Sequence, residues 1–159
     1  MDNFYEKSLE HAWKYFEIHS QQRMSIFNFF LGATGLVATG IGICIQQGGD
    51  YHYLSFALSV FLVFSSFIFW KLDQRTSMLI KSAETALESL ESVMDTPCSK
   101  LFKIDSANAD NFNKLFSPWT YGLCFRLTYI MVGALSVLSM IFSVVYLITY
   151  TKVIILHLN

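Results

Sequence analysis

Three long runs of apolar residues without formal charge constrain this chain more than any other feature. The first is Met24 to Ile45, "MSIFNFFLGATGLVATGIGICI". The second is Tyr53 to Trp70, "YLSFALSVFLVFSSFIFW", and the third is Leu127 to Tyr150, "LTYIMVGALSVLSMIFSVVYLITY". No ionisable acid or base sits inside any of them. At 1.5 Å rise per residue, about 22 helical residues cover roughly 33 Å, enough for a hydrocarbon core of about 30 Å. The second run is near the lower limit for a span. A soluble helical core rarely holds three such runs, and composition agrees: only 14% of the 159 residues are charged. A soluble domain carries nearer a quarter. The expected fold class is an all-α membrane protein with three transmembrane helices.

The first run begins late, after Asp2, Glu6, Glu10 and Glu17. A cleaved signal peptide has a short basic start and a small-residue cleavage site instead, so this run reads as a retained span. Lysine and arginine set the orientation. Lys7, Lys14 and Arg23 precede span one, and "QQGGDYH" after it has none. Lys71, Arg75, Lys81, Lys100, Lys103, Lys114 and Arg126 lie between spans two and three, and only Lys152 follows. The positive-inside rule then puts the N-terminus in the cytoplasm and the short C-terminal tail outside. Trp70, Trp119, Tyr121 and Tyr150 fall near span ends, where aromatic belts form. A net charge of −1 gives no basic field for nucleic acid. Cys44, Cys98 and Cys124 suggest no pairing and read as free thiols.

The chain reads as one membrane domain, 1–159. It comprises a cytoplasmic helix over 3–23, span one over 24–45, span two over 53–70, a cytoplasmic helix over 71–94, a connector over 95–118 and span three over 127–150. Phe4, Tyr5, Leu9, Ala12, Trp13 and Phe16 recur at helical spacing, Asp2 or Asn3 can cap the start, and no Gly or Pro separates this segment from span one. One continuous helix from about Asn3 to Ile45 is the simplest reading. Span two also continues without a breaker. Leu72, Thr76, Leu79, Ala83, Ala86, Leu90 and Val93 form a thin heptad seam. Pro97 disfavours helix at Thr96. Spans one and two therefore extend into a cytoplasmic helical hairpin. In the connector, a short helix is expected near Ala107 to Phe116, capped by Asp105 or Ser106. Leu101, Phe102, Phe112, Leu115 and Phe116 are expected to dock on the helical arms or on the membrane surface.

The sharpest pattern lies in span one. Gln21, Ser25, Asn28, Gly32, Gly35, Thr39, Gly42 and Gln46 are spaced 4, 3, 4, 3, 4, 3, 4, which puts small and polar residues on one helical stripe. Two readings fit. Small residues let helices approach while Asn28 or Thr39 bonds across the contact. Alternatively, several copies turn this face inward and it lines a pore. Ser136, Ser139 and Ser143, continued by Tyr146 and Tyr150, form a weaker face on span three and read as packing. Glu84, Glu88, Glu91 and Asp95 line one side of the second arm. Without His or Cys among them they read as solvated, or paired with Lys7 and Lys14, and not as a metal site. His11, His19 and Arg23 suggest a polar cluster at the membrane. No catalytic arrangement, phosphate loop or HExxH motif is present, so neither an enzyme nor a cofactor is expected.

"AWKYFEIHSQQRMSIFNFFLG", a span pair and "FWKLDQRTSMLIKSAETALESLE" resemble, over roughly residues 8 to 92, small bacterial membrane proteins encoded beside defence systems. These are the SLATT-type effectors, which flank two spans with cytoplasmic helices, and small multi-span accessory proteins of CRISPR and other antiphage loci. The resemblance is architectural, and this chain adds a third span. It implies an oligomer that perturbs the inner membrane when a cytoplasmic partner signals infection. The expected function is thus a pore-forming or membrane-perturbing homo-oligomeric effector. The rival is a non-conducting anchor or sensor that recruits a cytosolic protein through Trp13, His19, Arg23, Phe112 and Phe116.

Overall fold

The computed structural model describes residues 2–93, 100–104 and 119–158, with side chains over 4–93, 100–104 and 119–153. Those residues form three long helices, α1 (Asp2–Gln47), α2 (Tyr51–Glu91) and α3 (Tyr121–Leu158), and one helical turn over 101–104. No strand occurs among them. All three helices are long and apolar enough to cross a membrane, as the charge-free runs require. Only 11%, 22% and 11% of their most apolar windows are buried within the protomer, so most of that apolar surface must meet lipid or another chain.

Helices α1 and α2 each run unbroken from arm into span. Their lengths, 46 and 41 residues, correspond to about 69 and 62 Å. Between them the backbone reverses over 48–50. Gly48 and Gly49 both take left-handed conformations, with φ of 69° and 56°. An L side chain there is strained by about 1–2 kcal/mol per residue. Helix α3 is longer than the expected third span. Thr120 starts it: its carbonyl accepts from the amides of Leu123 and Cys124 at 3.0 and 3.2 Å, and its hydroxyl lies 3.4 Å from the Leu123 amide. After Tyr150 no Gly or Pro intervenes, so the helix continues through Thr151 and Lys152.

The chain falls into two compact units. One comprises Met1–Ile26 and Leu72–Phe125, and the other Phe27–Lys71 and Arg126–Asn159. In the first, Tyr5 donates its hydroxyl to the carbonyl of Leu90 at the end of α2, which also accepts from the amide of Val93 at 3.3 Å. Phe102 packs edge-on against Phe16 and Trp13, with centroids 5.5 and 6.2 Å apart. Leu101 is exposed. The remainder of the expected connector, including its helix near Ala107 to Phe116, lies outside the described residues.

The inward face of α2 in this unit differs from the heptad seam expected from apolar residues. Asp73, Thr76, Ser77, Ile80, Ala83, Leu87 and Glu91 are buried, while Leu72, Ala86 and Val93 are exposed and Leu79 and Leu90 half-buried. Thr76 and Ala83 belong to the expected seam, while the other five buried positions lie one residue on from it, about 100° around the helix. Two carboxylates sit inside it because each has a partner. Arg23 holds Asp73. Glu91 is not part of a solvated acidic face. It accepts hydrogen bonds from the amides of Phe102 at 3.0 Å and Lys103 at 3.3 Å, at the N-terminal end of the 101–104 turn. Glu91→Ala leaves those donors unmatched. The expected cost is about 1–3 kcal/mol, measured by thermal unfolding in detergent, with faster hydrogen exchange at amides 102 and 103.

The second unit is held by rings at one end and serines along its length. Phe30 is buried with its ring centroid 4.8 Å from Tyr129 and 5.2 Å from Phe69. Between α2 and α3 runs a column of buried serines. Ser143 donates to Ser55 at 3.0 Å, Ser59 and Ser139 are bonded at 3.0 Å, and Ser66 lies against Gly133. The span-three serines therefore do pack, as their spacing suggests. Beyond the column, buried His52 stacks on Tyr146 with centroids 3.7 Å apart. Cys44 and Cys124 are thiols and form no disulfide, and Cys98 lies outside the described residues.

Candidate functional site

The site is built on α1. In the second unit its buried face is marked by Phe30, Ile41 and Cys44. At 100° per residue, these fall opposite the line through Asn28, Gly32, Gly35, Thr39, Gly42 and Gln46. All six of the latter are exposed. A Cβ added to Gly32, Gly35 or Gly42 would meet nothing within 4 Å. By contrast, one added to Gly40, off the stripe, would lie 3.4 Å from Leu58 Cδ1. The stripe is therefore not the surface on which α2 or α3 of the same protomer packs. Glycine inside a helix costs about 1 kcal/mol relative to alanine. Three on this line carry that cost with no contact inside the protomer to offset it.

The polar members are equally uncommitted. Thr39 donates back to the carbonyl of Gly35 at 2.8 Å, which bends no other helix toward it. Asn28 has no hydrogen-bond partner among the described residues. In the first unit the stripe begins with Gln21 and Ser25, both exposed, and Gln21 reaches only Glu17 on its own helix, at 3.3 Å. A row of amide, hydroxyl and bare backbone facing away from the protomer can do one of two things. It can receive a second helix closely, or it can face water.

The expected partner-contact residues separate. Trp13 is half exposed and sits at the edge of an apolar groove with Leu9, Leu87, Leu101 and Phe102, of about 490 Å³. His19 is half-buried, with Nδ1 3.2 Å from Gln22 Oε1 and its ring edge-on to Tyr15. Arg23 is committed inside the first unit and makes no polar cluster with the histidines. Its Nε and Nη2 donate to the two carboxylate oxygens of Asp73 at 2.7 and 3.1 Å. Its guanidinium also lies 5.2 Å from the centre of the Phe125 ring. Phe112 and Phe116 lie outside the described residues. Among the described residues no group of His, Cys, Asp or Glu has the arrangement of a metal site.

Sequence reasoning missed Asp73, Ser55, Ser59 and His52. Asp73 alone carried a signal, because it is a carboxylate 50 positions from an arginine that also sits at a span boundary. Either charge buried alone would be costly.

Comparison with known proteins adds the assembly. The sequence matches the octameric membrane protein family (8xMP) over residues 6–158. It is 49% identical over 140 residues to CD-NTase-associated protein 19 of Escherichia coli, covering 87% of this chain and 91% of that protein. No solved structure matches it. A match spanning both arms and all three apolar helices, with a relative close to full length, shows that this chain belongs to the octameric membrane protein family.

Proposed function

We propose that eight copies form a membrane ring whose opening is lined by the α1 stripe, and that the ring perturbs the bacterial inner membrane in antiphage defence. The observation that carries this reading is the exposure of all eight stripe residues in a protomer that belongs to an octameric family. Helices in contact lie about 8–10 Å apart. Eight of them on a circle leave an opening of roughly 10 Å or more once side chains are counted. Glycine on the inner line widens it, and Asn28, Thr39 and Gln46 give it a polar wall.

The excess of lysine and arginine before span one and between spans two and three supports an orientation with the first unit in the cytoplasm. The Escherichia coli relative is named for association with a CD-NTase. By that likeness the trigger for this chain comes from an enzyme of that class, received on the cytoplasmic unit. A non-conducting anchor is the competing account.

Substituted-cysteine accessibility decides between them. With Cys44, Cys98 and Cys124 replaced by alanine, Thr39→Cys protein in liposomes is expected to carry current that a charged, water-soluble thiol reagent abolishes. Leu138→Cys, exposed on α3, should be insensitive. Octamers that carry no current, or a Thr39→Cys current indifferent to reagent, overturn the pore reading.

A further inference from the structure

The first unit also carries a pair of complementary flanks on α1, which the stripe does not include. Take Gln21 as the reference direction and 100° per residue. Glu6, Glu10, Trp13 and Glu17 then fall on one side, centred about 50° from it. Lys7, His11, Lys14 and Ile18 fall on the other side, also centred about 50° from it. All eight are exposed, and Tyr5, Ala12 and Phe16 on the opposite face are half-buried. Glu6, Lys7, Glu10 and Lys14 have no ion-pair partner among the described residues. The acidic flank is also the side on which the groove of Leu9, Trp13, Leu87, Leu101 and Phe102 opens, with Glu6 and Glu10 on its rim.

A closed ring is built from head-to-tail contacts, in which one flank of each protomer meets the opposite flank of the next. In a regular eight-membered ring the two neighbours of any copy subtend about 135° on the inner side. Two flanks about 100° apart, either side of the Gln21 direction, come close to that requirement. Rotational symmetry keeps equivalent atoms at one height, so partners come from matching levels of the arm. Lys7 of one copy then stands level with Glu6 and Glu10 of the next, and Lys14 level with Trp13 and Glu17. The lysine stems can lie across the groove while their ammonium groups reach the carboxylates or the indole face.

We infer that the acidic, Trp13-bearing groove of each α1 arm receives the Lys7–His11–Lys14 flank of a neighbouring copy, so that the arms close the octamer outside the membrane. The inference rests on the proposed ring with α1 innermost, but it fails separately from the pore. The test compares the full-length protein with Glu6→Lys/Glu10→Lys, with Lys7→Glu/Lys14→Glu and with a combined variant that carries all four substitutions and Glu17→Lys, by native mass in detergent and by circular dichroism. Each pair is expected to lose the octamer at about 0.15 M salt and to recover part of it at about 1 M, where like-charge repulsion is screened. The combined variant includes Glu17→Lys because Glu17 stands level with position 14; it then restores opposite charges at every contact and should be octameric again.

Both pairs remaining octameric overturns the inference. So does a combined variant that keeps its helix content and does not reassemble. Octamers from a charge pair that no longer respond to infection assign the groove to a cytosolic protein instead, and also overturn it. Should the charge variants fold poorly, zero-length carbodiimide coupling of mixed isotope-labelled and unlabelled parent protein gives a second readout. Lys7 joined to Glu6 or Glu10 of a differently labelled copy supports the contact, and no such product overturns it. Loss of conductance through the stripe alone, as with Asn28→Leu, leaves this contact unaffected, so the two readings are separable.

Discussion

Arg23→Leu is expected to destabilise the protein by about 3–5 kcal/mol, because it strips a buried carboxylate of its bidentate partner. The Asp73 side chain is 1% exposed and that of Arg23 14%. The two parallel bonds between them match the fork of the guanidinium to both oxygens of the acid. Phe125 covers the guanidinium from one side, and a Cβ at Gly122 would lie 3.1 Å from Nη2. One ion pair therefore ties residues of α1, α2 and the start of α3 within the first unit. Arg23→Lys should recover only part of the loss, since a single ammonium cannot bond both oxygens in the same way. Arg23→Leu combined with Asp73→Leu should be much more stable than the two single losses predict, because no charge is left stranded. Thermal unfolding of the parent, Arg23→Leu, Arg23→Lys, Asp73→Leu and the double variant in one detergent checks this. Single variants that melt with the parent would falsify the account of the pair.

The second large effect is on activity with little change in protomer stability. Gly35→Leu and Asn28→Leu are expected to abolish membrane depolarisation while membrane insertion and helix content stay at parental levels. The argument is steric and chemical. Nothing within 4 Å would meet a Cβ at Gly35, so the protomer accepts a leucine there, and helix propensity even favours it by several tenths of a kcal/mol. What the leucine fills is space shared with other copies or with water. Asn28→Leu removes an exposed amide and puts an apolar surface where a hydrated wall is proposed. Gly40→Leu is the control, since its side chain would press on Leu58 of the same protomer and cost stability. Voltage-sensitive dye uptake in cells, beside membrane fractionation, reads both quantities. Depolarisation by both stripe variants at the parental level would sink the pore reading.

Much of the architecture was legible because lipid imposes a simple code. An uncharged run of about 20 residues has few alternatives to a spanning helix, and the absence of Gly or Pro between arm and span gave two continuous helices. The stripe was legible for the same reason, since small and polar residues are conspicuous against Phe, Leu and Ile. Whether it met its own protomer was not legible, because periodicity fixes a face and not what lies against it. The second arm was misread by one position at five of its seven buried residues, Thr76 and Ala83 being read correctly. Leu72, Leu79 and Ala86 look like a seam when only apolar residues are scored, whereas the buried line admits Asp73, Ser77 and Glu91. Each polar residue there depends on a partner distant in sequence or on a local backbone group, and helical spacing does not record that pairing. Ser55 and Ser59 were hidden by their ordinariness, because serines occur widely in membrane helices and only the facing Ser139 and Ser143 give them meaning.

The reversal over 48–50 bears on how the chain is inserted. In the proposed orientation, the segment from Gln46 to His52 is the leading edge that must be carried across the bilayer, and it contains no lysine or arginine. An inside-negative potential acts on each elementary charge with about 2.3 kcal/mol per 100 mV. It drives the carboxylate of Asp50 outward and opposes nothing else in that segment. Helices α1 and α2 are thus suited to enter as a pair, assisted by the energised membrane. Helix α3 meets the opposite sign, for its translocated end carries Lys152. In the proposed orientation biogenesis of the protomer would thus be asymmetric, the field favouring the first two helices and resisting the third.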